Sequence, residues 1–322
     1  MKTSIVFFGT PEFAKESLSR LYDESRIDIK GVVSAPDRES GRGLQTKQSE
    51  VTTFALGHNI PLSQPTDLQS DDFIEVLKAW NAKVFVVVAF RKLPKNVWSL
   101  PELGTFNIHA SLLPAYRGAA PIQWAIANGE TLTGVTSFFI NEVIDSGNVL
   151  LQLEIKIGAN ENISSLYDRL KIAGASLALD TIFAISEEKT PGIHQKLDKI
   201  EKKAPKIFSQ FGHLESLDSL NDIHNRIRSC DAYPGASIPM INGNNGRIKF
   251  FDSVIINNYE STDYNNQIKL IISDKEIMIN QGHNAINIGS VQWPGKRRID
   301  TFEFLKGFRE RGIFKINGKK MT

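Results

Sequence analysis

Along the first half of the chain, unbroken runs of β-branched and aromatic residues alternate with stretches whose apolar positions recur every three to four residues. "SIVFFGT", "IKGVVSA", "AKVFVVVAF" and "GTFNIHA" read as strands covered on both faces, because nothing in them alternates toward water. "PEFAKESLSRLYDE", with Pro11 in its first turn where a missing N–H is harmless, and "SDDFIEVLKAW" read as amphipathic helices. This order predicts an α/β fold: a Rossmann-like, mostly parallel sheet with helices on both faces. "TGVTSFFI" and "NVLLQLEIKI" continue the sheet, and "SSLYDRLKIAGASLALDTIFAI" is a long helix that closes the first domain.

The pattern then changes. "EEKTPGIHQKLDKIEKKAPK" is polar, lysine-rich and without periodicity, so it reads as a linker. After one helix, "SLNDIHNRIRSC", short alternating runs follow: "GASIPMI", "GRIKFFDSVII", "QIKLIIS", "KEIMINQ" and "AINIGSVQW", broken by Asn/Gly turns. Such spacing predicts a small antiparallel barrel or sandwich. The expected organisation is a catalytic domain over residues 1–188, a linker over 189–208 and a C-terminal β domain over 209–322.

Composition narrows the function classes. The 322 residues exceed one ordinary core, and 41 % hydrophobic with 23 % charged residues is a globular balance. No apolar run reaches membrane-span length and "MKTSIVFFGTPEF" is too short for a signal peptide, so a cytoplasmic location is expected. The single cysteine, Cys230, excludes an internal disulfide and a thiolate zinc site. No two of the six histidines stand at metal-ligand spacing, so no metal is implied. The net charge of +2 conceals a basic C-terminal part: from Glu201 to Thr322 there are 18 Lys and Arg against 13 Asp and Glu. A polyanion partner fits this surplus, as does a merely solvated surface.

Several motifs lose their sharper readings. "FFGTPEF" sits where dinucleotide enzymes carry spaced glycines, but only Gly9 is present, so the junction is structural. Ser111 lacks the setting of a nucleophile elbow and is expected to cap a turn. Asn107 and His109 stand two apart on a strand, so both side chains face one side at its C-terminal end, where open α/β sheets bind ligands. Asp145, in the loop after the next strand, returns a carboxylate toward that edge, where it would orient the imidazole and favour its charged form. An amide and an imidazolium both donate to a developing oxyanion, and a carboxylate takes a proton from an attacking amine. Acyl transfer to nitrogen, without a covalent enzyme intermediate, fits this trio.

At these residues the chain resembles a known family. "NIHASLLPAYRGAAPIQWAI" is similar to the signature of the formyltetrahydrofolate-dependent formyltransferases, with Asn107, His109 and Asp145 at the catalytic positions. "FFGTPEFA", "APDRESGRG", "APKI", "RIRSCDAYPGA" and "VQWPGKRR" resemble recurrent segments of the branch that acts on tRNA, so the likeness spans nearly the whole chain. It departs at Val143-Ile144, where Gly-Leu is usual, and at Phe90-Arg91-Lys92, where Ala-Tyr-Gly is frequent.

The resemblance implies 10-formyltetrahydrofolate as co-substrate and the methionine amino group on initiator tRNA as acceptor, for translation initiation. It implies that Ser111, Leu112, Leu113 and Pro114 shape the folate site, and that Phe90, Leu93 and Pro94 line the pterin pocket. The loop carrying Arg38, Arg42 and Lys47 would engage the tRNA acceptor end. The C-terminal domain would be an oligonucleotide-binding (OB)-like barrel, with Lys296, Arg297 and Arg298 offered to phosphates. A sugar or small-amine formyltransferase with an appended barrel, and an RNA-binding protein with an inactive catalytic domain, are the alternatives.

Overall fold

The computed structural model describes residues 2–40, 45–188, 190–196, 202–241, 245–259 and 267–316, with the side chains of 38–40, 45 and 46 outside that description. By their internal contacts these residues form two units. The first comprises Met1–Gly118, Thr133–Ile155 and Asp168–Ala204; the second comprises Ala119–Leu132, Lys156–Tyr167 and Pro205–Thr322.

The first unit is built on a seven-stranded sheet. Leu62–Ser63, Ile27–Val33, Thr3–Gly9, Val84–Val88 and Thr105–His109 run parallel in that spatial order. Leu132–Phe139 joins antiparallel to Thr105–His109, and Val149–Lys156 forms the edge beyond it. Val84–Val88 is buried at every position, as the uninterrupted apolar run requires. On one face Val6, Phe8, Phe85 and Val87 pack against Phe73, Leu77 and Val97, which lie on the helices Asp71–Trp80 and Lys95–Trp98. On the other, Gly174 of the helix Ile163–Ser186 approaches Phe13 and Ile108 so closely that a Cβ there would lie 3.1 and 3.3 Å from their carbons. Helices therefore cover both faces. Gly9 is needed for packing: a Cβ on it would sit 2.6 Å from that of Ala14 in the following helix, Glu12–Tyr22.

The second unit holds a curled, OB-like antiparallel half-barrel. Its strands run in the spatial order Ala236–Pro239, Arg247–Ile256, Asn284–Gln292, Ile277–Gln281, Lys269–Ile272 and Gly312–Lys315, and Arg298–Asp300 also pairs with Asn284–Gln292. The register between the two central strands is the same on either side of Asp252 and Gly289, but the ladder is interrupted at that pair, where Asp252 has φ of 51° and a Cβ on Gly289 would lie 2.8 Å from that of Asp252. Such a paired irregularity lets a sheet bend. The helix Leu220–Ser229 starts at Ser219, whose hydroxyl accepts from the Asp222 N–H at 3.0 Å, a cap worth about 1 kcal/mol. It buries Leu220, Ile223 and Ile227, three and four residues apart, in the core that Phe250, Ile279 and Phe314 share.

The helix Pro121–Ala127 and residues 156–167 belong to this second unit, although the pattern along the chain places them in the first domain. Trp124 stacks edge-on against Phe211 at 4.8 Å, and the carbonyl of Ala159 accepts from His224 at 3.0 Å. Pairings this distant in sequence leave no trace in periodicity. No helix among the described residues is long and apolar enough to cross a membrane.

Candidate active site

Asn107 and His109 lie on the strand Thr105–His109, on the sheet face shared with Val87 and Phe138. The Asn107 carboxamide is half-buried and makes no hydrogen bond among the described residues. His109 is 7 % exposed, and its Nε2 lies 2.8 Å from the carbonyl oxygen of Tyr116. A carbonyl can only accept, so this contact places a hydrogen on Nε2 and leaves Nδ1 as the edge available for chemistry.

Nδ1 lies 3.9 Å from Oδ2 of Asp145, whose side chain is 13 % exposed. That separation is within ion-pair reach but too long for a hydrogen bond. Oδ2 instead accepts the backbone N–H of Gly118 at 2.9 Å, and Oδ1 has no hydrogen-bond partner among the described residues. The expected contact in which Asp145 orients the imidazole directly is thus replaced by two backbone contacts. Tyr116 carbonyl holds His109, and Gly118 N–H holds Asp145.

Both backbone groups come from the turn after the strand Thr105–His109, and its conformation explains why they face inward. Tyr116 has φ of 60° and Gly118 has φ of 123°. At Gly118 a Cβ would lie 2.5 Å from the Ala204 carbonyl oxygen, so only glycine fits beside the short strand Lys203–Ala204, which pairs with Arg117–Gly118. Earlier in the turn, Thr136 donates to the Ser111 carbonyl at 2.6 Å and accepts from Leu113 N–H at 3.1 Å. The Gln152 amide donates to Thr136 Oγ1 and to the Leu113 carbonyl, each at 2.9 Å. Ser111, fully buried, donates to the Ala115 carbonyl at 2.7 Å, in keeping with the turn-capping reading of its hydroxyl.

The Asp145 loop is also backbone-constrained. Asp145 has φ of 54°, and a Cβ on Gly147 would fall 1.6 Å from the Phe139 carbonyl oxygen. Gln195 reaches this loop from a segment read as linker: its amide donates to the carbonyls of Asp145 (3.0 Å) and Gly147 (2.7 Å), and its oxygen accepts from Arg117 Nε (3.1 Å) and Nη2 (2.5 Å). Gln195, Thr136 and Gln152 carry no signal in the sequence, since isolated polar residues in strands and linkers usually face water. Val143 and Ile144, the departures beside Asp145, are 64 % and 59 % exposed.

Of the residues expected to line a pterin pocket, Leu93 is buried and Phe90 is half-buried, its ring edge-on to Phe8 at 5.8 Å. Arg91 turns away to the carbonyls of Pro65 and Thr66. Leu113 is buried, while Leu112 and Pro114 are half-buried. These groups offer a flat heterocycle apolar walls and nearby backbone polar atoms. A separate cavity of about 400 Å³ opens at the C-terminal ends of the first two parallel strands, lined by Thr10, Pro11, Ala35, Pro36, Lys47 and Ser49.

The basic residues divide. The Arg38 side chain and all of Arg42 lie outside the described residues; Lys47 is exposed on the hairpin of Arg38–Ser40 and Gln45–Lys47, 4.0 Å from Glu50. Lys296 and Arg297 are exposed, with Arg297 at 3.9 Å from Glu303. Arg298 differs: its guanidinium pairs with Asp231 at 2.9 Å and Asp252 at 2.6 Å, donates to Ser290 at 2.7 Å and covers the Phe251 ring. Its charge is engaged within the unit. Burial raises and the Arg298 and Ser290 hydrogen bonds lower the Asp252 carboxyl, with a net shift below its ordinary range. No cluster of three or more His, Cys, Asp or Glu able to hold a metal occurs among the described residues.

Known proteins resemble the chain over nearly its whole length. The family described as "Formyl transferase" matches residues 1–182, and "Formyl transferase, C-terminal domain" matches residues 206–309. The methionyl-tRNA formyltransferase of Bacteroides fragilis is 38 % identical over 97 % of this chain and 97 % of its own length. That of Flavobacterium johnsoniae is 42 % identical over 95 % and 96 %. Among solved structures, the sugar 3N-formyltransferase WlaRD shares the fold with a TM-score of 0.64 at 22 % identity, covering 89 % of this chain and 97 % of that one. An N-formyltransferase from Helicobacter canadensis, in complex with folinic acid, likewise has a TM-score of 0.64, at 20 % identity over 89 % of this chain and 99 % of that one. With both family matches and full-length identity on this scale, the chain belongs to the formyl transferase family and, within it, to the methionyl-tRNA formyltransferases.

Proposed function

We propose that the chain transfers the formyl group of 10-formyltetrahydrofolate to the α-amino group of methionine on initiator methionyl-tRNA, in the cytoplasm, as a step of translation initiation. The observation that carries the reading is an Asn107 carboxamide and an Asp145 oxygen without hydrogen-bond partners among the described residues, on either side of a His109 ring whose Nε2 is already tied down. Full-length likeness to methionyl-tRNA formyltransferases supplies the substrate class.

The amine attacks the formyl carbon. Asn107 donates from its amide, and His109, used as the imidazolium, donates from Nδ1 to the oxyanion that develops. Asp145 Oδ1 takes the proton shed by the attacking nitrogen, directly or through one water, while Oδ2 stays on Gly118. Collapse of the tetrahedral intermediate releases the folate nitrogen, which takes up the proton that Asp145 received, directly or through the same water, and so returns the carboxylate to its starting form. Phe90, Leu93, Pro94 and the Ser111–Pro114 turn hold the folate. Lys47, Lys296 and Arg297 meet tRNA phosphates, together with Arg38 and Arg42. Arg298 acts indirectly, by holding Asp231 and Asp252 beside that surface.

The fold neighbours that formylate sugars favour a second reading, transfer to a small amine. One assay separates the two. With labelled 10-formyltetrahydrofolate, formylation of charged initiator tRNA in preference to charged elongator tRNA and to free amino sugars supports the proposal, and preference for the sugars overturns it.

A further inference from the structure

We infer that Gln195 is a positioning residue for the transfer, holding the Asp145 loop in its reactive arrangement through backbone carbonyls; the inference rests on the reading that Asp145 takes part in formyl transfer. Gln195 is 6 % exposed in a segment that is otherwise largely exposed, so its burial serves something specific. Its amide nitrogen satisfies two carbonyl oxygens on either side of Ser146, those of Asp145 and Gly147, and its oxygen accepts two hydrogens from the Arg117 guanidinium. A primary amide is the side chain that donates twice on one end and accepts on the other.

The neighbours of Gln195 repeat the pattern. Ile193 exchanges backbone hydrogen bonds with Val149, four residues after Asp145, at 2.8 and 2.7 Å. Further along, the Lys202 carbonyl accepts from Tyr116 N–H, and Lys203–Ala204 pairs with Arg117–Gly118. The segment after the long helix therefore grips the Asp145 loop at one end and the turn that holds His109 and Asp145 at the other. Gln195 joins the two grips, since it bonds both to the loop and to Arg117. Asp145 sits in a left-handed conformation that an unsupported chain leaves readily, so the loop needs such a tie.

Three variants of the full chain test this. Gln195→Ala removes every contact. Gln195→Glu keeps the shape and the Arg117 pairing but turns an oxygen toward the two carbonyls. Gln195→Met keeps the length alone. Hydrogen exchange of the free protein gives a readout independent of catalysis: the Gly118 amide, bonded to Asp145 Oδ2, should exchange at least about tenfold faster in Gln195→Glu and Gln195→Met, with melting still cooperative. In the transfer assay kcat should fall about tenfold to hundredfold in all three, with KM for folate and tRNA within about twofold. The loss should shrink to under about threefold when Gln195→Met is combined with Asp145→Asn, because one residue acts through the other.

Unchanged Gly118 exchange overturns the inference, even if the wild-type chain shows no formyl transfer and the functional reading fails separately. Wild-type kcat in Gln195→Glu overturns it as well, by assigning the role to the Arg117 pairing. Additive losses in the double variant do the same, by reducing Gln195 to a structural residue.

Discussion

The imidazole of His109 is anchored by the carbonyl of Tyr116, 2.8 Å from Nε2, and not by Asp145, whose nearest oxygen is 3.9 Å from Nδ1. Seven residues of chain close a loop from the strand end back onto its own histidine, and the Asp145 carboxylate is held separately, by the Gly118 N–H. The roles of the trio are separable by mutation on that account.

Asp145→Asn should keep the fold, because the amide oxygen can still accept the Gly118 N–H. Turnover should fall by about a hundredfold or more, the usual value of a general base, with folate affinity retained in a binding titration. Near-normal turnover would remove Asp145 from proton transfer.

For His109, the glutamine variant can reach the Tyr116 carbonyl but cannot carry charge at the oxyanion. His109→Ala should lose about 3 kcal/mol of transition-state stabilisation, roughly a hundredfold in kcat, and His109→Gln should fall between it and the wild type. Equal rates for wild type and His109→Ala would show that the ring is only a wall.

Gly118→Ala tests the backbone anchor. The added methyl meets the Ala204 carbonyl at a backbone angle that side chains rarely adopt, so stability should drop by about 1–3 kcal/mol in denaturant unfolding. Folded variant should turn over more slowly with KM little changed, because its defect moves Asp145 rather than a binding wall.

His224 predicts a pH dependence of stability. It is buried, its Nε2 donates to Ala159 carbonyl and its Nδ1 accepts from the Ser253 hydroxyl at 2.9 Å, so the neutral ring is the form that fits. Burial lowers its pKa and the Arg228 charge lowers it further, against the opposing hydrogen bond to Ala159. The unfolded chain therefore binds the proton first. Stability is fully present above the ordinary histidine value of about 6.5 and is lost as the pH falls below it toward the depressed folded pKa, at a slope of at most about 1.4 kcal/mol per pH unit. His224→Gln should flatten that limb in unfolding curves recorded from pH 7 downward; an unchanged limb would assign it to other groups.

On the basic surface, Lys296 and Arg297 should behave differently from Arg298. Replacing the first two with Gln should reduce the slope of log tRNA affinity against log salt by up to about two units, at about 0.9 per phosphate contact, with melting temperature unchanged. Arg298→Gln strips the charged partner from Asp231, whose side chain is only 9 % exposed and keeps only neutral donors from Asn162 and Ser164, so it should lower the melting temperature first. If Arg298→Gln changes only the salt slope, its ion pairs are not holding the domain.

The two architectures were legible in the sequence, because periodicity reports which faces are buried, and so was the pairing of Asn107 with His109, because side chains two apart on a strand share a face. How the trio is held follows from the fold alone. The anchors of His109 and Asp145 are main-chain groups of Tyr116 and Gly118, and every residue type carries such groups, so no letter in the sequence marks them. Gln195 is hidden for a related reason: a polar residue in a polar segment looks solvated until a partner 50 residues earlier, the Asp145 carbonyl, is brought beside it. Arg298 reads as one more charge in a basic cluster, and only the approach of Asp231 and Asp252 from other parts of the chain engages it in ion pairs. Local patterns fix local geometry, whereas hydrogen bonds between distant segments depend on where the fold delivers them.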